Sequence, residues 1–246
     1  MDPGPIHPFG GPVRGKTIGM RSTESGGARE EDLRISAGTV WLAGRLTMPA
    51  EPRGLVLFAH GSGSGRHSPR NRWVAESLHR SALATLLFDL LDEREEGNRA
   101  AVFDIELLAA RLLAATAHVR DHPLCLGLPV GYFGASTGAA AALVAAADPG
   151  ARVAAVVSRG GRPDLARSWL RSVRVPTLLI VGGLDRQVLE LNRRAQETLA
   201  APTRLEVVPG ATHLFEEPGA LDRVATLARA FFLEHLADAR PGSGNT

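Results

Sequence analysis

From Leu33 onward, apolar residues fall into short runs separated by longer stretches of helical period. The runs from Leu33 to Ile35, Val40 to Thr47, Leu55 to Ala59, Thr85 to Phe88, Pro129 to Phe133, Val153 to Val157, Thr177 to Val181 and Leu205 to Val208 predict strands. Between them the pattern predicts helices over 70–80, 101–120, 137–147, 187–199 and 218–235. In the second, Ile105, Leu108, Leu112 and Ala115 recur at a helical spacing, and the third is rich in alanine, which has high helix propensity. The first two strands, joined at Ala37-Gly38, predict an antiparallel hairpin. The strand-helix alternation after Leu55 predicts an α/β fold, a mostly parallel central sheet of about eight strands with helices on both faces. Ligands bind such sheets beyond the carboxyl ends of the strands, so candidate chemistry is sought there.

Composition sets the limits of this domain. Residues 1–30 mix Pro3, Pro5, Pro8 and Pro12 with glycine, serine and arginine, too little apolar surface to offset the entropy of ordering, and predict a flexible leader. One domain is expected over 31–238 and a disordered tail over 239–246. The net charge of +2 comes from scattered basic residues, which gives no reason to expect nucleic acid as a partner. No signal-like start and no apolar run of membrane-spanning length is present, so no membrane association is expected. Cys125 is the single cysteine and can form no intrachain disulfide, which agrees with a cytoplasmic location.

The strand ending at Phe133 runs into Gly134-Ala135-Ser136-Thr137-Gly138 and then the alanine-rich helix. Strand, sharp turn and helix with serine at the turn describe a nucleophile elbow, in which Ser136 projects above the sheet and the helix dipole favours developing negative charge. A serine needs a base and a group that orients the base. Asp185 follows the strand over 177–181, and His213 follows the strand over 205–208, so Ser136, Asp185 and His213 stand at three strand ends in the order nucleophile, acid, base. The competing roles are a helix cap for Ser136, a helix cap for Asp185, which would prevail were Asp185 alone, and a surface position for His213; the three together point to acyl transfer. His60-Gly61-Ser62-Gly63-Ser64-Gly65 follows the strand over 55–59, where backbone oxyanion donors are expected, and the amides of Ser62 and Thr137 are the candidates. This loop lacks the spacing of a phosphate-binding P-loop. His60 is read as fixing the loop, the acidic run Asp92 to Glu96 as a solvated loop, and His7, His79, His118, His122 and His235 show no metal-ligand spacing. Arg66, Arg70 and Arg159 are candidate substrate-binding residues, with Arg162 and His67 nearby, because arginine forks suit carboxylate or phosphate. Salt bridging is the competing role for them.

His60-Gly61-Ser62-Gly63, the pentapeptide around Ser136, Gly183-Leu184-Asp185 and Gly210-Ala211-Thr212-His213 together resemble the dienelactone hydrolase-like branch of the α/β-hydrolase superfamily over residues 33 to 238. The resemblance implies a serine hydrolase that needs no cofactor or metal and acts on small soluble esters, lactones or thioesters through an acyl-Ser136 intermediate. Dienelactone hydrolases themselves carry cysteine at the nucleophile position. The sequence also resembles bacterial proteins in which such a domain is joined to a phosphoribosyltransferase-like domain, for which the leader here is too short. Residues 158–175 leave room for one short helix and no lid domain. An acyltransferase with the same triad and a catalytically silent ligand-binding fold are the alternatives. The partner expected is a small acyl substrate.

Overall fold

The computed structural model describes residues 23–25 and 28–237. Strands β1 (Thr23–Ser25), β2 (Ala28–Ala37) and β3 (Val40–Met48) come first, followed by β4 (Gly54–Ala59), α1 (Pro69–His79) and β5 (Leu83–Phe88). Two single-turn helices, α2 (Glu93–Glu96) and α3 (Arg99–Val102), precede α4 (Ile105–Asp121), β6 (Val130–Ala135) and α5 (Thr137–Ala147). After β7 (Ala155–Arg159) a 3-10 segment, Pro163–Ser172, leads to β8 (Thr177–Gly182), α6 (Arg186–Thr198), β9 (Thr203–Val208) and α7 (Ala220–Ala237).

The strands form one sheet in the order β1-β2-β3-β5-β4-β6-β7-β8-β9. Pairings from β1 to β3, and of β3 with β5, are antiparallel; every pairing from β5 to β9 is parallel. β4 through β8 are buried along their whole length, which is why they read as continuous apolar runs. Phe58, Phe133, Val157 and Ile180 face α1 and α7, whereas Leu57, Tyr132, Val156 and Leu179 face α4, α5 and α6. The alanines of α5 have a packing reason: the helix is buried on nearly every side, and small side chains let it lie against the sheet. Because β5 lies on one side of β4 and β6 on the other, the chain reverses its winding at β4, and the crevice at that reversal is where an open α/β sheet binds ligands.

Three local expectations differ from the structure. The sheet has nine strands among the described residues, and β1 and the start of β2 lie inside the segment expected as a leader. Ala28 to Asp32 has no apolar run to signal a strand; it is held by pairing with β3, from Arg29 opposite Met48 to Asp32 opposite Arg45. The rest of 1–30, and the tail from residue 239, lie outside the described residues. The acidic run is not simply a solvated loop: Asp92 accepts from the Arg94 and Glu95 amides, Glu95 reaches back to the Asp92 amide at 3.1 Å, and Glu95 pairs with Arg111 at 2.8 Å. The helix expected over 101–120 is interrupted at Phe103-Asp104, where the Asp104 carboxylate caps α4 by accepting from the Leu107 amide at 3.0 Å.

No lid domain is inserted between β7 and β8. The connection from β7 to β8 holds only the 3-10 segment, with a break at Arg167. Among the described residues no helix is long and apolar enough to cross a membrane.

Candidate active site

Ser136 sits between β6 and α5 with φ +51° and ψ −119°, a conformation costing about 1–3 kcal/mol for a residue with a Cβ. Its neighbours make the turn feasible. A Cβ on Gly134 would meet the Gly138 carbonyl at 2.7 Å and the Ala139 amide nitrogen at 2.8 Å, and one on Gly138 would collide with the carbonyls of Ala59 and His60. The turn is held from β7: the Ser136 amide donates to the Arg159 carbonyl at 3.2 Å, and the Arg162 amide donates to the Ser136 carbonyl at 3.1 Å. Although Ser136 stands at the N-cap of α5, its hydroxyl makes no capping hydrogen bond.

Asp185 and His213 are brought together from β8 and β9. His213 Nδ1 lies 2.6 Å from Asp185 Oδ2; the carboxylate can only accept, so the ring proton sits on Nδ1. The Asp185 side chain makes no cap to α6, which removes the capping role that its position suggests. The two loops are joined by the Gly183 amide donating to the Val208 carbonyl and the Leu184 amide to the Ala211 carbonyl, both at 2.9 Å. Gly182 is required at their crossing, since a Cβ there would strike the carbonyls of Ala211 and Thr212. Glu217 holds the base of the His213 loop, accepting from the Thr212 amide at 3.1 Å and hydroxyl at 2.5 Å. Gly160 (φ +51°) connects this pair to the elbow: it lies one residue beyond Arg159, and a Cβ on it would stand 3.5 Å from His213 Cε1.

The loop after β4 lies beside the elbow, because Ala59 is in register with Gly134. A Cβ on Gly61 would come within 3.1 Å of Ser136 Cβ. His60 is buried and anchors the loop, with Nδ1 donating to the Gly61 carbonyl at 3.0 Å and Nε2 accepting from the Leu90 amide at 2.9 Å. Burial pushes its pKa down, so this imidazole stays neutral. The Ser62 amide donates to the Thr137 hydroxyl at 2.9 Å. The two oxyanion candidates are therefore neighbours, but the Ser62 donor is engaged, and it reaches a ligand only by sharing that N–H or by rotation of the Thr137 side chain.

The arginines separate. Arg66 lies in a short ion pair with Asp89, Arg162 in a paired fork with Asp164, and Arg70 contacts Glu216 at 3.1 Å, whereas Arg159 is buried. A cleft of about 870 Å³ runs from Ser62 and Thr137 past Arg66 and Asp89 to Trp41. It adjoins the elbow without being lined by Ser136 or His213. Sequence reasoning passed over Asn192, buried in α6, whose side-chain amide donates to the Gly161 carbonyl at 2.9 Å and steadies the loop that holds Ser136. Its only signal was a polar residue on the apolar face of a helix.

Comparison with known proteins agrees with this architecture. A family model described as an alpha/beta hydrolase domain matches residues 52–229. The crystal structure of a dienelactone hydrolase from Anabaena variabilis is 54% identical, with a TM-score of 0.83, covering 85% of this chain and 99% of that one. Est1E from Butyrivibrio proteoclasticus shares the fold at 17% identity and a TM-score of 0.70, covering 82% of this chain and 98% of that one. Two Mycobacterium tuberculosis proteins provisionally named as phosphoribosyl transferases are 62% identical over 213 residues, 87% of this chain but 48% of theirs, so the chain spans about half the length of these curated relatives. With a matching family model over most of its length and the β4 loop, elbow, β8 loop and β9 loop converging at the sheet's carboxyl edge, the chain belongs to the α/β-hydrolase superfamily, in its dienelactone hydrolase-like branch.

Proposed function

We propose that the chain is a serine hydrolase, carboxylesterase-like, that cleaves small soluble esters, lactones or thioesters through an acyl-Ser136 intermediate. The observation that carries this reading is the 2.6 Å pair of His213 Nδ1 and Asp185 Oδ2 beside an elbow whose strained serine is free of any capping role.

With the ring proton on Nδ1, His213 Nε2 holds a lone pair. It takes the Ser136 proton as Oγ bonds to the substrate carbonyl carbon, and Asp185 stabilises the imidazolium that forms. The carbonyl π electrons move to oxygen, and the Thr137 amide at the head of α5 supplies the first donor to that oxyanion, with Ser62 the second once its N–H is shared or released. Collapse expels the alcohol or thiol, which receives the proton from Nε2. Water then repeats the sequence, giving a carboxylic acid and free Ser136. The short β7–β8 connection, which holds no lid domain, suits small soluble substrates and predicts no rate jump on lipid micelles. The phosphoribosyl transferase name belongs to relatives about twice as long and supplies no step here.

The test is Ser136→Ala. Fluorophosphonate labelling and turnover of short-chain p-nitrophenyl esters are expected to disappear while the circular dichroism spectrum is retained. Full activity in the folded variant would refute the assignment.

A further inference from the structure

The contact between the two oxyanion candidates is made by a side chain. The Ser62 amide donates to Thr137 Oγ1 at 2.9 Å, a bond that joins the loop after β4 to the head of α5. Thr137 is buried, with 3% of the residue exposed, and it lines the cleft of about 870 Å³ together with Ser62. In this bond Oγ1 is the acceptor, so the hydroxyl keeps its own proton to give. Among the described residues the bond to Ser62 is the one hydrogen bond that this hydroxyl makes. Thr116 in α4 and Thr198 in α6 show the ordinary arrangement, each donating to the carbonyl four residues back in its own helix. Thr137 has no such carbonyl behind it, because it is the first residue of α5 and Phe133, four back, belongs to β6.

The backbone N–H of the same residue has no intrahelical partner either, since it opens the helix. At helical φ an N–H eclipses the Cα–Cβ bond, and both threonine rotamers used in helices set Oγ gauche to the nitrogen. The N–H and O–H of Thr137 therefore face one point, beside Ser136. We propose that the Thr137 hydroxyl is a catalytic group: it accepts from the Ser62 amide and donates its own proton in a hydrogen bond to the oxyanion, next to the Thr137 N–H. Ser62 then acts through the hydroxyl and has no need to release its N–H. The Ser62 bond polarises Oγ1, which strengthens the O–H as a donor, and it fixes the hydroxyl before substrate arrives. No proton is transferred. The Oγ1–H bond stays whole while the carbonyl π electrons sit on oxygen, and collapse of the tetrahedral intermediate returns them. This inference rests on Ser136 being the nucleophile.

Thr137→Val in the full chain keeps the shape of the side chain, removes its donor and acceptor together and leaves the Ser62 N–H free. For short-chain p-nitrophenyl esters kcat is expected to fall at least tenfold, toward the roughly 10²–10³ that one lost oxyanion donor costs, with KM within threefold. Thr137→Ser is expected to stay within threefold of the unaltered protein. A folded valine variant that is as fast or faster would show that the hydroxyl only holds the Ser62 donor back, and would overturn the proposal. If the valine variant does not fold, Thr137→Ala carries the same expectation. Donation is separated from anchoring of the loop by deleting the Ser62 N–H alone. Incorporating lactic acid at position 62 turns that amide into an ester, and Ser62→Ala is the reference. A loss of kcat below tenfold is expected, because the hydroxyl still donates; a larger loss makes Ser62 the direct donor and overturns the proposal. The inhibition constant of an alkyl trifluoromethyl ketone, which adds to serine as an oxyanion, should rise in Thr137→Val by the factor that kcat/KM falls, and an unchanged constant counts against the hydroxyl. Fluorophosphonate distinguishes the two failures. An unlabelled unaltered protein removes the nucleophile reading and this inference with it, whereas a labelled one with an undiminished valine variant removes the Thr137 hydroxyl alone.

Discussion

Asp185→Asn isolates the electrostatic part of the site. The carboxylate meets His213 Nδ1 at 2.6 Å, with the aspartate side chain 14% and the imidazole 38% exposed. For charge centres about 4 Å apart at an effective dielectric of about 20, the attraction between carboxylate and imidazolium is about 4 kcal/mol. At 1.36 kcal/mol per decade this corresponds to about 10³ in rate. Asparagine adds a second loss. Its NH₂ group can donate to Nδ1, which places the ring proton on Nε2, where no lone pair remains to accept the serine proton. The expected fall in kcat/KM is therefore about 10³ to 10⁴ for short-chain p-nitrophenyl esters, with a parallel fall in the rate of fluorophosphonate labelling. Because Asp185 does not cap α6, the urea midpoint should change by less than about 1 kcal/mol of stability. A folded variant that loses less than tenfold would refute the orienting role.

Gly138→Ala would drive a Cβ into the carbonyls of Ala59 and His60, backbone atoms that cannot turn aside, and is expected to cost about 1–3 kcal/mol in urea unfolding and to reduce labelling of Ser136. Phe232 is fully buried and fills the space left by Gly131, so Phe232→Ala should cost about 3–5 kcal/mol while the surviving folded fraction keeps its turnover. Acid should weaken the fold. His79, bonded to the Thr85 hydroxyl at 2.8 Å, is held neutral by burial, which pushes its pKa from 6.5 down to about 4. The unfolded chain takes up a proton that the folded one refuses, so this stability is present above pH 6.5 and lost as pH falls toward 4. Allowing for solvent screening, the loss is about 2 kcal/mol, measured as urea midpoints from pH 7 to 4.5, and His79→Gln should flatten the profile. His60 and His118, both lowered by burial, act in the same direction.

Much of this protein was legible as a linear pattern. The central strands are buried on both faces, so they appear as apolar runs; the strand-turn-helix around Ser136 is local, and Gly134 and Gly138 mark it within five residues. The order of Ser136, Asp185 and His213 follows from which strands they terminate. What the pattern left open depended on partners distant in sequence. Ala28 to Asp32 is a strand because β3 is beside it, a fact that its polar residues do not announce. The four arginines near the strand ends look alike in the sequence, yet Asp89, Asp164 and Glu216 reach Arg66, Arg162 and Arg70, and only tertiary packing leaves Arg159 buried with no ion pair among the described residues. The engagement of the Ser62 amide by Thr137, across 75 residues, is of the same kind. Sequence by itself determined the elements and which residues end them, because those follow from local periodicity and turn chemistry. Tertiary structure alone decided which charges are matched and which donors are free, because burial and pairing are properties of the assembled sheet edge.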